Sequence, residues 1–118
     1  MVTLYGIRNC DTMKKAANWF EDTGRQCVLH DYRRDGLDEA KLRTFVAALG
    51  WEALLNKRGT TWRKLDDEEK DNITEDKAVA LMLANVAMIK RPVWERDGEY
   101  MLGFAADDRP AIREFLDM

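Results

Sequence analysis

Cysteine is the residue type best suited to covalent chemistry in this chain, and Cys10 stands where a strand is expected to hand over to a helix. Val2 to Gly6 reads as an opening β-strand. From Asp11 to Thr23, Met13, Ala16, Ala17 and Phe20 recur on one helical face. Cys10 therefore falls in the short loop with Ile7, Arg8 and Asn9, or in the first residues of the helix. A helix N-terminus presents unpaired N–H groups and a partial positive charge, and that field favours a thiolate over a thiol. Most cysteines are small, inert core residues, so on local pattern alone a structural Cys10 stays open beside a nucleophilic one. Cys27 begins the next expected strand, where burial is the ordinary outcome and a resolving thiol the alternative. His30, the only histidine, has no metal-like cluster around it and reads as structural. Arg58, Arg63 and Lys64 form a basic run whose default account is a solvated loop.

The elements that must position these groups are legible in outline. Gly24 closes the first helix, and Cys27 to Tyr32 follows as a second strand. Asp38 reads as the N-cap of a helix through Leu49, with Leu42, Phe45, Val46 and Leu49 as its stripe. Short helical turns are expected at Trp51 to Leu55 and Asp66 to Lys70, with Asn56 to Lys64 a basic, hydroxyl-rich loop between them. Thr74 opens a helix whose buried face is Ala78, Leu81, Met82 and Val86. Lys90-Arg91-Pro92 stops it. Asp97-Gly98 between Val93–Arg96 and Tyr100–Leu102 signals a hairpin, and a last helix runs from Asp107 to Leu116 with Pro110 in its first turn. The order is β-α-β, a helical block, a β-hairpin and a helix, which predicts a single mixed α/β domain.

At 118 residues, with 46% hydrophobic and 35% charged side chains, the chain can build both a core and a soluble surface. A net charge of -3 argues against direct nucleic-acid binding, although a local basic patch can still hold an anion. No signal-peptide pattern and no membrane-length apolar run is visible. Two cysteines are too few for a disulfide-stapled secreted domain, so free thiols in a reducing cytoplasm are expected.

The run Thr3-Leu4-Tyr5-Gly6-Ile7-Arg8-Asn9-Cys10-Asp11-Thr12-Met13-Lys14-Lys15-Ala16 resembles the opening of the YffB-like branch of the ArsC/Spx family. Leu54 to Trp62, Ile89 to Val93 and Leu102-Gly103-Phe104 resemble its later blocks in the same order. The resemblance implies a thioredoxin-like fold with an inserted helical subdomain: a core from 1–35 and 90–118 and an insert from 36–89. It implies that Cys10 is the reactive thiol, activated by the helix N-terminus and Arg91, with Arg8 or Lys14 as further cations and the Asp11 charge opposing them. Arg91 would bind an oxyanion or a thiolate. Pro92 would be cis, leaving a backbone edge open to an extended peptide such as glutathione. Thr12 would donate to the sulfur, Arg58 would take a glutathione carboxylate, and Asn9 would complete the glutathione-binding set.

The departures from the family pattern narrow the chemistry. Arginines that arsenate reductases of this type place around the oxyanion fall here on Asn56, with Arg58 a little further along, and on Phe104. Losing those cations weakens the grip on an arsenate-like dianion. Spx-type regulators often carry Cys-X-X-Cys, and Met13 replaces the second cysteine. The expectation is a cytoplasmic, monomeric thiol reductase using Cys10 with glutathione or another small thiol as co-substrate and no metal, attacking a disulfide or an oxidised sulfur, with a protein disulfide among the candidate substrates. The alternatives are an Spx-like regulator that binds RNA polymerase without turnover, and an arsenate reductase.

Overall fold

The computed structural model describes residues 1–118. Two compact units form: Met1–Gly36 with Arg91–Met118, and Leu37–Lys90.

The first unit carries a mixed sheet in the order β2-β1-β3-β4, where β1 is Val2–Gly6, β2 Cys27–Asp31, β3 Val93–Arg96 and β4 Glu99–Leu102. β1 and β2 are parallel, Val2 opposite Cys27 and Gly6 opposite Asp31. Parallel neighbours need a long crossover, and helix α1 (Asp11–Glu21) supplies it. β3 runs antiparallel to β1 with Val93 opposite Tyr5, and β4 antiparallel to β3. Asp97 and Gly98 join the hairpin with φ of 53° and 78°. A two-residue turn with both φ positive matches the strand twist, which is why Asp-Gly appears there. This is the thioredoxin-like α/β fold that the resemblance implied.

One face of the sheet packs its core. Val2 and Leu4, Trp94 of β3, Met13, Ala16, Ala17 and Phe20 of α1, Phe104, and Ile112 and Leu116 of the C-terminal helix (Arg109–Leu116) form one buried cluster. Arg25 and Arg96 donate to the carbonyls of Leu116 and Phe115 at 2.6 and 2.9 Å, satisfying acceptors that a helix end leaves open.

In the second unit, α2 (Glu39–Leu49) is capped by the Asp38 carboxylate accepting the Lys41 N–H at 2.8 Å. The helices α3 (Trp51–Leu54), α4 (Thr60–Arg63), α5 (Asp67–Lys70) and α6 (Glu75–Ala84) follow. The Thr74 hydroxyl caps α6 by accepting the Lys77 N–H. The unit's last residues return to α3: the Lys90 N–H donates to Leu54 and the Asn56 N–H to Met88, both at 2.7 Å. The final helix of the chain is accordingly α7.

Several expected boundaries move. α1 ends at Glu21 rather than Thr23, because the Thr23 hydroxyl and the N–H of Gly24 (φ +86°) fold back onto Phe20 and Glu21. β2 stops at Asp31, although the Tyr32 N–H still reaches the Gly6 carbonyl at 2.9 Å. The basic loop contains α4, which the Thr-Thr and Arg-Lys content did not announce. On α6 the buried residues are Ala78, Val79 and Met82, with Leu81 half-buried. Val86 lies beyond the helix in a 3-10 turn, because Asn85 leaves the helical region at φ −140°, ψ 85° and ends it. Leu49 is half-buried rather than core. A 3-10 turn at Ala106–Asp108 precedes α7, which starts at Arg109 rather than Asp107. No helix is long and apolar enough to cross a membrane.

Candidate functional site

The strand directions bring distant segments to one edge of the first unit's sheet. β1 and β2 both end there, at Gly6 and Asp31. β3 runs the opposite way, so it begins there, and Val93 opposite Tyr5 puts Arg91-Pro92 beside the end of β1. β4 returns to the same edge at Leu102, and its next N–H, on Gly103, donates to the Pro92 carbonyl at 2.9 Å.

Cys10 is the N-cap of α1, with extended backbone (φ −97°, ψ 128°), and its carbonyl accepts the Lys14 N–H at 3.1 Å. Its side chain is part-exposed and free. Partial burial pushes the thiol pKa up. The hydrogen bond and charge of the Arg91 guanidinium, with the N–H groups of Met13 and Thr12, outweigh that, and the net position is lowered. No capping hydrogen bond of full geometry reaches the sulfur, so those N–H groups act as aligned donors at longer reach. Thr12 thus bears on the sulfur through its backbone. The Arg91–Pro92 bond is cis, Pro92 is buried and Asn9 is exposed in the turn before Cys10. Arg58 belongs to the second unit, exposed, with its N–H on the Asn56 side-chain oxygen at 3.1 Å.

Gly6 is the residue that composition and pattern left unremarked. A Cβ there would stand 2.5 Å from Met13 Sδ and 3.2 Å from Arg91 Cβ, so only glycine lets both side chains close over the end of β1. Gly6→Ala is expected to cost about 1–3 kcal/mol of stability and to slow alkylation of Cys10 by displacing Arg91. Denaturant unfolding and the alkylation rate at neutral pH check it. An unchanged rate would mean that Arg91 does not depend on this close approach.

The other sequence candidates separate clearly. Cys27 packs half-buried against the core, and burial together with the Glu21 charge raises its pKa, so it stays a protonated thiol. The His30 Nε2–H donates to the Gly36 carbonyl at 2.7 Å, which ties the ring to the loop after β2. Phe104, where an oxyanion-binding cation would have stood, is 7% exposed and packs edge-on against Trp19 at 5.2 Å. A cavity of about 290 Å³ opens beside the start of α1, lined by Arg8, Met13 and Lys14 and by Leu29, His30, Asp31 and Arg34. The second group lies some twenty residues along the chain, which no local pattern could connect to Cys10.

Residues 5–112 match the ArsC family model. An uncharacterized protein of Haemophilus influenzae is 45% identical over 104 residues, 88% of this chain and 91% of that one. A solved structure named YffB protein is 46% identical with a TM-score of 0.86, covering 94% of this chain and 97% of its own. The solution structure of an arsenate reductase (ArsC) related protein from Brucella melitensis is 50% identical with a TM-score of 0.79, covering 93% and 92%.

Proposed function

The chain belongs to the ArsC family, and from that premise we propose that it is a thiol reductase with Cys10 as its single nucleophile and glutathione as the thiol that regenerates it. The carrying observation is the place of Cys10 at the head of α1 with the Arg91 guanidinium against its sulfur, an arrangement that lowers the thiol pKa against the pull of burial. The Cys10 thiolate attacks the glutathionyl sulfur of a mixed disulfide. The S–S bond breaks, and the departing sulfur leaves as a thiolate and is protonated. A glutathione thiolate then attacks the glutathionyl sulfur now on Cys10, forming glutathione disulfide and releasing the Cys10 thiolate. Sulfur oxidation states balance: one substrate disulfide is reduced and one glutathione disulfide is made. An external thiol is needed because Cys27, held protonated and half-buried, is a poor attacker. A reducing cytoplasm suits such a cycle.

This reading is preferred to arsenate reduction because Phe104 is core and Asn56 carries no charge, which leaves fewer cations for a dianion. Alkylation of Cys10 against pH tests the activation. The midpoint is expected below that of a free peptide thiol. Arg91→Ala is expected to move it up and slow the neutral-pH reaction by about tenfold, the size of one charge-assisted hydrogen bond at a part-exposed site. Oxidised glutathione should add one glutathionyl mass at Cys10. A midpoint like that of a free peptide, with no adduct, would end the reductase reading. Cys10-independent capture of RNA polymerase would then support an adaptor.

A further inference from the structure

We infer that the cavity at the start of α1, lined by Arg8 and Met13 from either side of Cys10 in the chain, is a carboxylate-recognition pocket, which makes the preferred partners of this thiol anionic peptide thiols and disulfides rather than neutral or cationic ones. The inference rests on the proposed thiol chemistry for its reaction, and on the cavity alone for its binding. Arg8, Lys14 and Arg34 line the space against a single carboxylate, Asp31, in a chain whose net charge is -3. That local reversal of sign is what attracts an anion to one place. Asp31 stays ionised, its carboxylate accepting the Arg33 N–H at 2.9 Å and held below the usual carboxylate range by backbone donors, so it offsets one of the three cations and leaves the lining with a positive excess. Arg34 also reaches Asp35 at 3.2 Å, but that pair is exposed, and such pairs are weak enough for an incoming carboxylate to share the guanidinium.

The rest of the lining is Met13, Leu29 and the His30 ring. Met13 and Arg91 both close on Gly6 at the end of β1, and Met13 also lines the cavity. Leu29, on edge strand β2, is 41% exposed, one of the few large apolar side chains left to solvent. A lining that mixes cations with Met13 and Leu29 fits a short aliphatic body ending in a carboxylate, close to its own sulfur. Glutathione is one such molecule and simpler carboxylated disulfides are others.

The test compares disulfides of similar size and different charge: dithiodipropionate, hydroxyethyl disulfide and cystamine. Each reacts by the same exchange, in which Cys10 forms one new S–S bond and one small thiolate leaves. The expected result is adduct formation with dithiodipropionate about tenfold faster than with hydroxyethyl disulfide, and slowest with cystamine, the preference shrinking as salt is raised. Reading the ratio of rates removes any effect of a substitution on Cys10 itself. Arg34→Ala and Arg8→Ala should each lower the anionic-to-neutral ratio by about threefold, and Arg34→Glu should favour cystamine. Lys15→Ala removes an exposed cation of α1 that does not line the cavity, and should leave the ratio as it was. A wild-type ratio near one, or an equal fall in Lys15→Ala, overturns the inference.

A second measurement needs no chemistry at sulfur. S-methylglutathione titrated into Cys10→Ser protein should shift the amide signals of Met13, Leu29 and Asp31, and the shifts should weaken in Arg34→Ala. Binding in the cavity with a Cys10 inert to every disulfide would sink the reductase proposal alone. A reactive Cys10 with no charge preference and no shifts would sink the pocket alone.

Discussion

Cys10→Ser is expected to abolish the glutathione adduct completely while leaving the fold as stable as before. A serine oxygen cannot form the sulfur–sulfur bond on which both halves of the cycle depend, so the loss is total rather than graded. Serine is also among the best N-cap residues, and Cys10 caps α1 without a side-chain hydrogen bond of full geometry. The substitution should therefore change stability by no more than about 1 kcal/mol, and in the favourable direction. Cys27→Ser is the matched contrast. Its thiol is held protonated by burial and by Glu21, so removing it should leave the Cys10 adduct at its full rate. Intact-mass measurement after oxidised glutathione reads both variants, and thermal unfolding shows that each is folded. An adduct surviving in Cys10→Ser would transfer the chemistry to Cys27 and remove the premise of the proposed cycle.

The largest effect on stability is expected from Trp94→Ala, about 3–5 kcal/mol. That is a large share of the roughly 5–15 kcal/mol that holds an ordinary domain together. Trp94 is 0% exposed at the centre of the sheet's packed face, with the rings of Trp19, Phe20 and Phe104 at 6.1, 6.3 and 6.3 Å. Its indole N–H donates to the Gly103 carbonyl at 2.9 Å, tying β3 to the segment that follows β4. Alanine opens a void among those rings and orphans that carbonyl. Trp94→Phe separates the two losses: it keeps most of the ring volume, gives up the hydrogen bond, and should cost only about 1–3 kcal/mol. Denaturant unfolding of the pair measures both. A Trp94→Ala loss below about 1 kcal/mol would contradict the packing described for this core.

Much of the scaffold is readable along the chain because its signals are local. Asp97-Gly98 announces its hairpin, since few residue pairs accept two positive φ angles in succession. Met13, Ala16, Ala17 and Phe20 define the buried side of α1 by spacing, and Asp38 marks the start of α2 by its side-chain oxygen. Signals fade where the outcome depends on packing. Leu81 and Val79 are equally apolar, and only the neighbours of α6 choose between them as the buried one. The short helix α4 has no apolar stripe to betray it, because none of its residues is buried.

The candidate site divides along the same line. That a cysteine would sit at the head of a helix, in that helix's field, follows from a few adjacent residues and from the polarity of aligned peptide groups. That Arg91 meets it follows from the antiparallel course of β3, which brings a residue 81 positions along the chain to the end of β1. The need for glycine at position 6, and the cavity shared by Arg8, Lys14, Leu29 and Arg34, arise from that same convergence. Backbone preferences act over a handful of residues, whereas side chains far apart in sequence become neighbours through strand register and close packing, which exist only once the chain is folded.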